Sequence, residues 1–152
     1  MLVGISPLLS PDLLATLCRM GHGDEIVLAD AHFPGESIAR RCLRADGLSV
    51  ASLLDGILPL FCLDGYVASP VTMMAAVDGD SLDPEVETAC RAVIDRHWPD
   101  TAAITRLERF AFYERARDAY AIVMTGDTAK YGNVILRKGV TPLSPSVDTK
   151  GS

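Results

Sequence analysis

The chain has 152 residues and a mass of 16.3 kDa; 49% of the residues are hydrophobic and 22% are charged. This composition predicts one folded domain and excludes a disordered or fibrous chain. Fourteen Lys and Arg against twenty Asp and Glu give a formal net charge of −6. Such a surface repels phosphate backbones, so no nucleic-acid partner is expected. The mean hydropathy of +0.22 predicts that some apolar side chains are buried between subunits.

The apolar stretches of the chain are too short for a membrane span, and the most apolar one, at residues 57–63, contains Pro59. The first residues lack the basic segment and the long apolar run of a signal peptide. The four cysteines have no metal-ligand spacing and lie in apolar patterns, which predicts reduced, buried thiols. Three scattered histidines do not form a metal site. We therefore expect a cytosolic protein without membrane segment or metal.

Four helices are predicted from their start signals. Residues 10–12 and 83–85 each combine a capping side chain, a proline suited to the first helical position and an acidic residue. The predicted helices run from 10 to a stop at the glycine at 21, from 49 to about 59, from 83 to about 97, and from 110 to 118. A basic segment holding Arg40, Arg41 and Arg44 is interpreted as a solvated or interfacial helix face.

Five strands are predicted as nearly continuous apolar runs at residues 25–30, 71–77, 102–107, 120–125 and 134–136. Strands that alternate with helices and are apolar on both faces indicate an α/β fold. We expect a single Rossmann-like domain over residues 1–142, with a mostly parallel sheet flanked by helices. Residues 143–152 are rich in Ser and Pro and are predicted to form a mobile C-terminal tail.

Open α/β sheets bind ligands at the carboxyl ends of their strands, which directs attention to the polar residues there. Asp30, His32, Asp78, Arg109 and the loop at residues 126–133 are predicted to lie at such positions. None of them belongs to a phosphate-binding fingerprint, so nucleotide binding is unsupported.

His22 lies between two glycines in a predicted helix-to-strand loop. The glycines leave the imidazole sterically unshielded, and a histidine titrates near neutrality, which suits acid–base chemistry. The alternative is a ring that only closes the end of the preceding helix with a hydrogen bond. The sequence pattern leaves both interpretations open for His22 and leaves His32 undecided. His97 is interpreted as an ordinary residue at a helix end.

Most aromatic residues of the chain lie in its last third. Phe110 and Tyr120 are predicted to pack in the core, and the alternative for the group is a wall against the apolar face of a sugar. The sequence Tyr131-Gly132-Asn133 predicts a turn that presents a phenol and an amide to hydroxyl groups.

Several blocks of the sequence resemble the ribose pyranase / fucose mutarotase family. They are MGHGDE (20–25), DAHFP (30–34), RADG (44–47), MMAAV (73–77), LDPEVE (82–87), RFAFYERA (109–116), KYGN (130–133) and KGVTP (138–142). They cover nearly the whole chain in order. Gly23 and the pair His32-Phe33 are similar to the fucose branch rather than the ribose branch.

The resemblance implies an enzyme that interconverts the α and β anomers of a free sugar, with L-fucose as the expected substrate and no cofactor. It places the catalytic roles on His22, the proton donor, and on Asp64, a position implicated in the animal members. Substrate binding falls on five residues: Asp30, Arg109, Tyr113, Tyr131 and Asn133. For Asp30 two roles stay open, holding a sugar hydroxyl or orienting the His22 imidazole. The resemblance also implies a homo-oligomer, a ring of ten subunits with its sites at subunit interfaces.

Two alternatives remain at this point. A non-catalytic sugar-binding module would keep the aromatic and hydrogen-bonding positions but would not need an exposed His22. A D-ribose pyranase-type enzyme would share the fold and the mechanism. Exchange of fucose anomers, of ribose anomers or of neither distinguishes the three.

Overall fold

The computed structural model describes residues 1–143, which form a six-stranded sheet with helices on both faces. The helices are α1 (Pro11–Arg19), α2 (Gly35–Ile38), α3 (Val50–Ile57), α4 (Pro84–His97) and α5 (Arg109–Asp118), with a 3₁₀ turn at Leu58–Leu60. The strands are β1 (Glu25–Ala29), β2 (Cys42–Ala45), β3 (Val71–Met74), β4 (Thr105–Leu107), β5 (Ala121–Thr125) and β6 (Val134–Arg137).

The strands lie in the order β2-β5-β1-β6-β3-β4. β1 is parallel to β5, β5 to β2, and β3 to β4, whereas β6 runs antiparallel to both of its neighbours. Five strands therefore share one direction, and the predicted mostly parallel α/β sheet is confirmed. Because β6 is reversed, its first residues lie beside the carboxyl ends of the other strands.

The predicted helix starts are also confirmed. The side chain of Ser10 accepts a hydrogen bond from the backbone of Leu13, and Pro11 occupies the first position of α1. Asp83 caps α4 through the backbone N–H of Glu85. These contacts satisfy backbone donors that a helix start leaves without a partner.

Both faces of the sheet are buried, which explains the continuous apolar runs in the sequence. Ile26 and Leu28 of β1 face the larger core, which packs against α1, α3 and α4. Val27 and Ala29 of the same strand face a second core, formed with α5 and the region of α2. Packing on both faces thus holds the two ends of β1 in fixed positions.

The prediction that Arg40, Arg41 and Arg44 form one helix face is wrong. Arg44 lies in the edge strand β2, where it pairs with Asp46, and a separate short helix, α2, precedes this segment. β2 pairs only with β5 in this sheet. An edge strand tolerates exposed charged side chains, so it lacks the apolar alternation that would have indicated it.

Other boundaries differ from the prediction at their ends. β3 stops at Met74 rather than at 77, and β4 begins at Thr105 rather than at 102. Of the four thiols, only Cys90 is buried, and Cys18 is exposed. The predicted tail falls almost entirely on residues 144–152, outside the described part of the chain. Within residues 1–143, no helix has the length and apolar character needed to cross a membrane.

Candidate active site

A pocket with a volume of about 390 Å³ lies at the carboxyl ends of the parallel strands. Its lining combines acidic, basic, amide, phenol and apolar groups: Asp30, His32, Phe33, Met74, Asp80, Arg109, Tyr113, Lys130, Tyr131 and Asn133. The five substrate-binding residues named from the family resemblance are all in this set. His32, which the sequence left undecided, also lines the pocket.

Asp30 directly follows β1 and is almost completely buried. One of its carboxylate oxygens, Oδ1, accepts the backbone N–H of His32 at 2.9 Å, and its own backbone N–H donates to Oδ1 of Asn133 at 2.8 Å. Burial raises the pKa of Asp30 above its ordinary value, against the hydrogen bond from the His32 backbone. The pocket therefore contains a carboxyl group with little water around it.

The turn before β6 shapes the opposite wall. Tyr131 has a left-handed backbone with φ of 57°, which is uncommon for a residue other than glycine. Its phenol donates to Oδ2 of Asp80 at 2.8 Å, and Lys130 lies 3.3 Å from the same oxygen. The hydrogen bond from Tyr131 is the main cause that lowers the pKa of Asp80. The predicted turn thus presents the phenol and the Asn133 amide towards one pocket.

Arg109 and Tyr113 lie one helical turn apart on α5. Nε of Arg109 donates to the phenol oxygen of Tyr113 at 3.2 Å, and the rings of Phe33 and Tyr113 form a T-shaped pair with 5.4 Å between centroids. Phe110 is 67% exposed, so the prediction that it packs in the core is wrong. Its ring packs instead beside its helix neighbours, with the Arg109 guanidinium 5.6 Å from the ring centroid and the Tyr113 ring 6.4 Å away.

His22 and Asp64 form a second polar cluster, which lies at the amino end of β1 and therefore at the opposite end of this strand from the pocket. Nε2 of the imidazole lies 3.2 Å from Oδ1 of Asp64. The Asp64 side chain is 1% exposed and that of His22 is 47% exposed, so the carboxylate lies behind a ring that solvent can reach. The ring bonds to Asp64, which disfavours the interpretation that it only closes the end of helix α1.

The carboxylate of Asp64 has three partners. Oδ1 also accepts the backbone N–H of Tyr66 at 3.0 Å, and Oδ2 accepts Nε of Arg137 at 3.0 Å. Burial opposes ionisation, but these donors together with His22 hold the pKa of Asp64 below its ordinary value. An ionised Asp64 can accept a hydrogen bond from Nε2 of His22, and this contact orients the imidazole ring.

Gly23 and Gly139 allow the chain to approach closely around this cluster. Gly23 has φ of +85°, and a Cβ built there would lie 3.3 Å from the Arg137 guanidinium. A Cβ at Gly139 would lie 2.6 Å from the carbonyl oxygen of Leu63, next to Asp64. The glycine after His22 thus makes room for Arg137, a role that the sequence did not indicate.

The structure separates the predicted site residues into two groups. The substrate-binding set lies in the pocket after β1, and the pair assigned to catalysis lies before β1. Lys130 lines the pocket as part of the predicted loop at residues 126–133. Sequence reasoning missed Asp80 and Met74 in the pocket, and Arg137 beside Asp64. Asp80 gave no signal of its own, because it lies in a loop of an acidic chain where charged residues are common. Among residues 1–143 no cluster of metal-ligating side chains is found.

Comparison with known proteins places this chain in one family over nearly its full length. The model of the RbsD / FucU transport protein family matches residues 3–141. A Haemophilus influenzae protein named L-fucose mutarotase is 58% identical over 143 residues, covering 94% of this chain and 99% of that protein. A protein of the same name from Histophilus somni is 56% identical over equal coverage.

A solved structure supports the same relationship. The fucose mutarotase of Streptococcus pneumoniae, determined in complex with L-fucose, is 50% identical and superposes with a TM-score of 0.88. The match covers 93% of this chain and 100% of that one. With matching sequence blocks, matching fold and near-complete coverage, the chain belongs to the RbsD / FucU transport protein family.

Proposed function

We propose that this chain is an isomerase that interconverts the α and β anomers of L-fucose. The observation that carries the proposal is an imidazole–carboxylate pair, His22 and Asp64, at one end of β1, with a pocket of hydroxyl-binding groups at the other end of the same strand. The relatives named L-fucose mutarotase, at 56–58% identity, support the choice of sugar. So does the crystal complex of the Streptococcus pneumoniae enzyme with L-fucose.

The pocket has the chemistry that a pyranose requires. Asp30 offers a carboxylate acceptor, and Arg109 offers a charged donor. Oδ1 of Asn133 accepts the Asp30 backbone N–H, so this amide offers its NH₂ donors, and the Tyr131 phenol, which donates to Asp80, offers its oxygen as an acceptor. Phe33 and Met74 provide an apolar surface on the same pocket. A 6-deoxy sugar has hydroxyls for the first group and a methyl group for the second.

Mutarotation requires a proton to leave the anomeric hydroxyl and a proton to reach the ring oxygen. The bond between the anomeric carbon and the ring oxygen then breaks, and an open-chain aldehyde forms. Rotation of the aldehyde followed by re-addition of the same hydroxyl to its other face gives the second anomer. A group that both takes and gives protons near neutral pH suits this cycle, and a positioned histidine contributes about 10²–10⁴-fold. We assign this role to His22, held by Asp64.

We also propose that the site is completed between subunits. Five residues of extended chain separate the two clusters along β1, a span of about 15 Å. An imidazole cannot cover this span, so the His22 of one subunit must serve the pocket of another. Tyr66, 81% exposed and beside His22, and Phe110, exposed beside Arg109, give each cluster an apolar neighbour that an interface would bury.

We propose a ring of ten subunits, the number that the family resemblance implies. We further propose a cytosolic location, since the four cysteines are free thiols, as expected in a reducing compartment.

Magnetisation-transfer NMR on equilibrating sugars tests the proposed activity. We expect exchange between the α and β signals of L-fucose at a rate that rises with enzyme concentration. Binding of fucose without exchange would indicate a sugar-binding module, and exchange of ribose without fucose would indicate a pyranase; either result overturns the proposal. Bovine serum albumin at equal concentration controls for non-specific catalysis.

A further inference from the structure

Five side chains, basic and acidic in turn, form a continuous row of contacts from helix α5 to the exposed imidazole. In order, they are Arg115, Glu25, Arg137, Asp64 and His22. The closest contacts between successive members are 2.6, 3.6, 3.0 and 3.2 Å. They come from one helix, two neighbouring strands and two loops, so the row exists only in the folded chain.

Arg137 is the member that determines how the Asp64 carboxylate is turned. Its Nε donates a hydrogen bond to Oδ2 of Asp64. The other oxygen, Oδ1, then contacts the Tyr66 backbone N–H and Nε2 of His22. Asp64 is almost fully buried, and a buried carboxylate that loses its cationic partner is strongly destabilised as an anion. Without Arg137, the acceptor behind His22 would lose both its charge partner and its fixed orientation.

Arg137 is itself held from the other side. Glu25 faces it across the β1–β6 pair, where the two residues are directly opposite in register. Glu25 in turn accepts hydrogen bonds from Nη2 of Arg115 at 2.6 Å and from Nε of Arg115 at 2.9 and 3.2 Å. A Cβ at Gly23 would lie 3.3 Å from the Arg137 guanidinium, so a side chain there would crowd it.

Arg137 does not line the pocket of Asp30 and Arg109. Any influence on the reaction therefore passes through Asp64 and His22 rather than through sugar binding within that pocket.

We propose that Arg137 is a positioning residue for anomer exchange, which acts through Asp64 to hold the His22 imidazole in place for proton transfer. Glu25 and Arg115 hold Arg137 in its turn. This inference rests on the proposed function, in which His22 is the group that moves the proton.

The test compares kcat and KM for L-fucose anomer exchange in Arg137→Gln, Arg137→Lys and Arg91→Gln. For Arg137→Gln we expect kcat to fall at least about tenfold, as for partners that orient a reactive imidazole, with KM unchanged. Arg137→Lys keeps the charge but not the planar guanidinium, so it should recover only part of kcat.

Arg91→Gln is the matched control, because Arg91 pairs with Asp95 and donates to the carbonyls of Thr101 and Ala102 without joining the row. It should lower the unfolding temperature and leave kcat unchanged. An equal loss of kcat in Arg91→Gln would mean that any lost ion pair slows the enzyme, and would overturn the positioning role.

A folded, assembled Arg137→Gln with the parent kcat would also overturn it. If Arg137→Gln does not fold, Arg137→Lys decides: a reduced kcat at unchanged KM supports the proposal, and the parent kcat refutes it. His22→Ala in the same assay separates failure of the proposed role of His22 from failure of the proposed role of Arg137. Parent activity in His22→Ala would remove the proposed role of His22, whereas an inactive His22→Ala beside a fully active Arg137→Gln would remove the role of Arg137 alone.

Discussion

Asp30 and Asn133, 103 positions apart in the chain, are joined by a buried hydrogen bond of 2.8 Å from the Asp30 backbone N–H to the Asn133 side chain. This bond ties the end of β1 to the turn before β6. It therefore fixes the spacing between the pocket carboxylate and the Tyr131 phenol.

Asn133→Ala should weaken both the fold and sugar binding. The substitution leaves a buried backbone N–H without its acceptor, which costs about 1–3 kcal/mol in the free energy of unfolding. It should also raise KM for L-fucose, because the pocket loses an amide. Thr125→Val is the control, because it removes the hydrogen bond from the Thr125 hydroxyl to the Ala29 carbonyl at 2.8 Å and the one that this hydroxyl accepts from the Asp127 backbone at 3.2 Å. Thr125 does not line the pocket. If both variants raise KM equally, the amide of Asn133 has no specific role in binding.

Asp30→Asn should separate stability from activity. Burial raises the pKa of Asp30 in the folded state, so the folded chain holds a proton that the unfolded chain releases over the interval between the two pKa values. The parent therefore loses stability as the pH rises through that interval, and the loss is complete above the folded-state pKa. Asparagine does not titrate.

Urea unfolding of both proteins between pH 4 and pH 8 checks this linkage. The difference in unfolding free energy should move in favour of Asp30→Asn as the pH rises. Over the same range kcat/KM for anomer exchange should fall about 10- to 150-fold, because a hydrogen bond between the sugar and a charged group, worth about 1.5–3 kcal/mol, is lost. A difference that does not change with pH would contradict the assigned burial effect.

His22→Ala should keep the fold and lose anomer exchange by about 10²–10⁴-fold. The ring is half exposed, so its removal leaves little cavity. His97→Ala is the matched control, because His97 also contacts an aspartate, Asp55, at 2.8 Å but on α4. Exchange rates measured by NMR on both variants, with circular dichroism to verify folding, decide the matter; an active His22→Ala would assign His22 a purely structural role.

The site before β1 could be predicted only in part. His22 was identified because two glycines flank it, but Gly23 has a second role beside Arg137 that sequence spacing does not show. The contact of Arg137 with Asp64 joins positions 73 apart and depends on the pairing of β6 with β1. That pairing follows from the reversal of β6, which a short apolar run does not encode by itself.

The helices and central strands were predicted well because their signals are local. Capping serines and prolines indicate helix starts, and strands buried on both faces appear as apolar runs. β2 and α2 were missed because an edge strand with Arg44 and a four-residue helix carry no such signal. The position of Asp80 beside Tyr131 was missed for a related reason, since it depends on how two loops meet.

Gly23→Ala should be more harmful than Gly79→Ala, although both glycines have a left-handed backbone with φ of +85° and +84°. Both variants pay for the strained backbone, by about 1 kcal/mol. Only at position 23 does the new methyl group also press on Arg137, because the space at Gly79 is open. We expect reduced kcat in Gly23→Ala alone. Equal kcat in the two variants, measured alongside thermal unfolding, would argue against a role for the Arg137 contact.

The sharing of one site between two subunits is the central claim, and mixed assemblies of His22→Ala and Tyr131→Ala subunits test it most directly. Each variant alone should lack anomer exchange. Unfolded together in equal amounts and refolded as mixed oligomers, they should regain about a quarter of the parent rate, because one site in four combines an intact His22 with an intact Tyr131 from its neighbour. Native mass spectrometry verifies that the oligomers are mixed. Mixed oligomers that remain inactive would contradict a site built by two subunits.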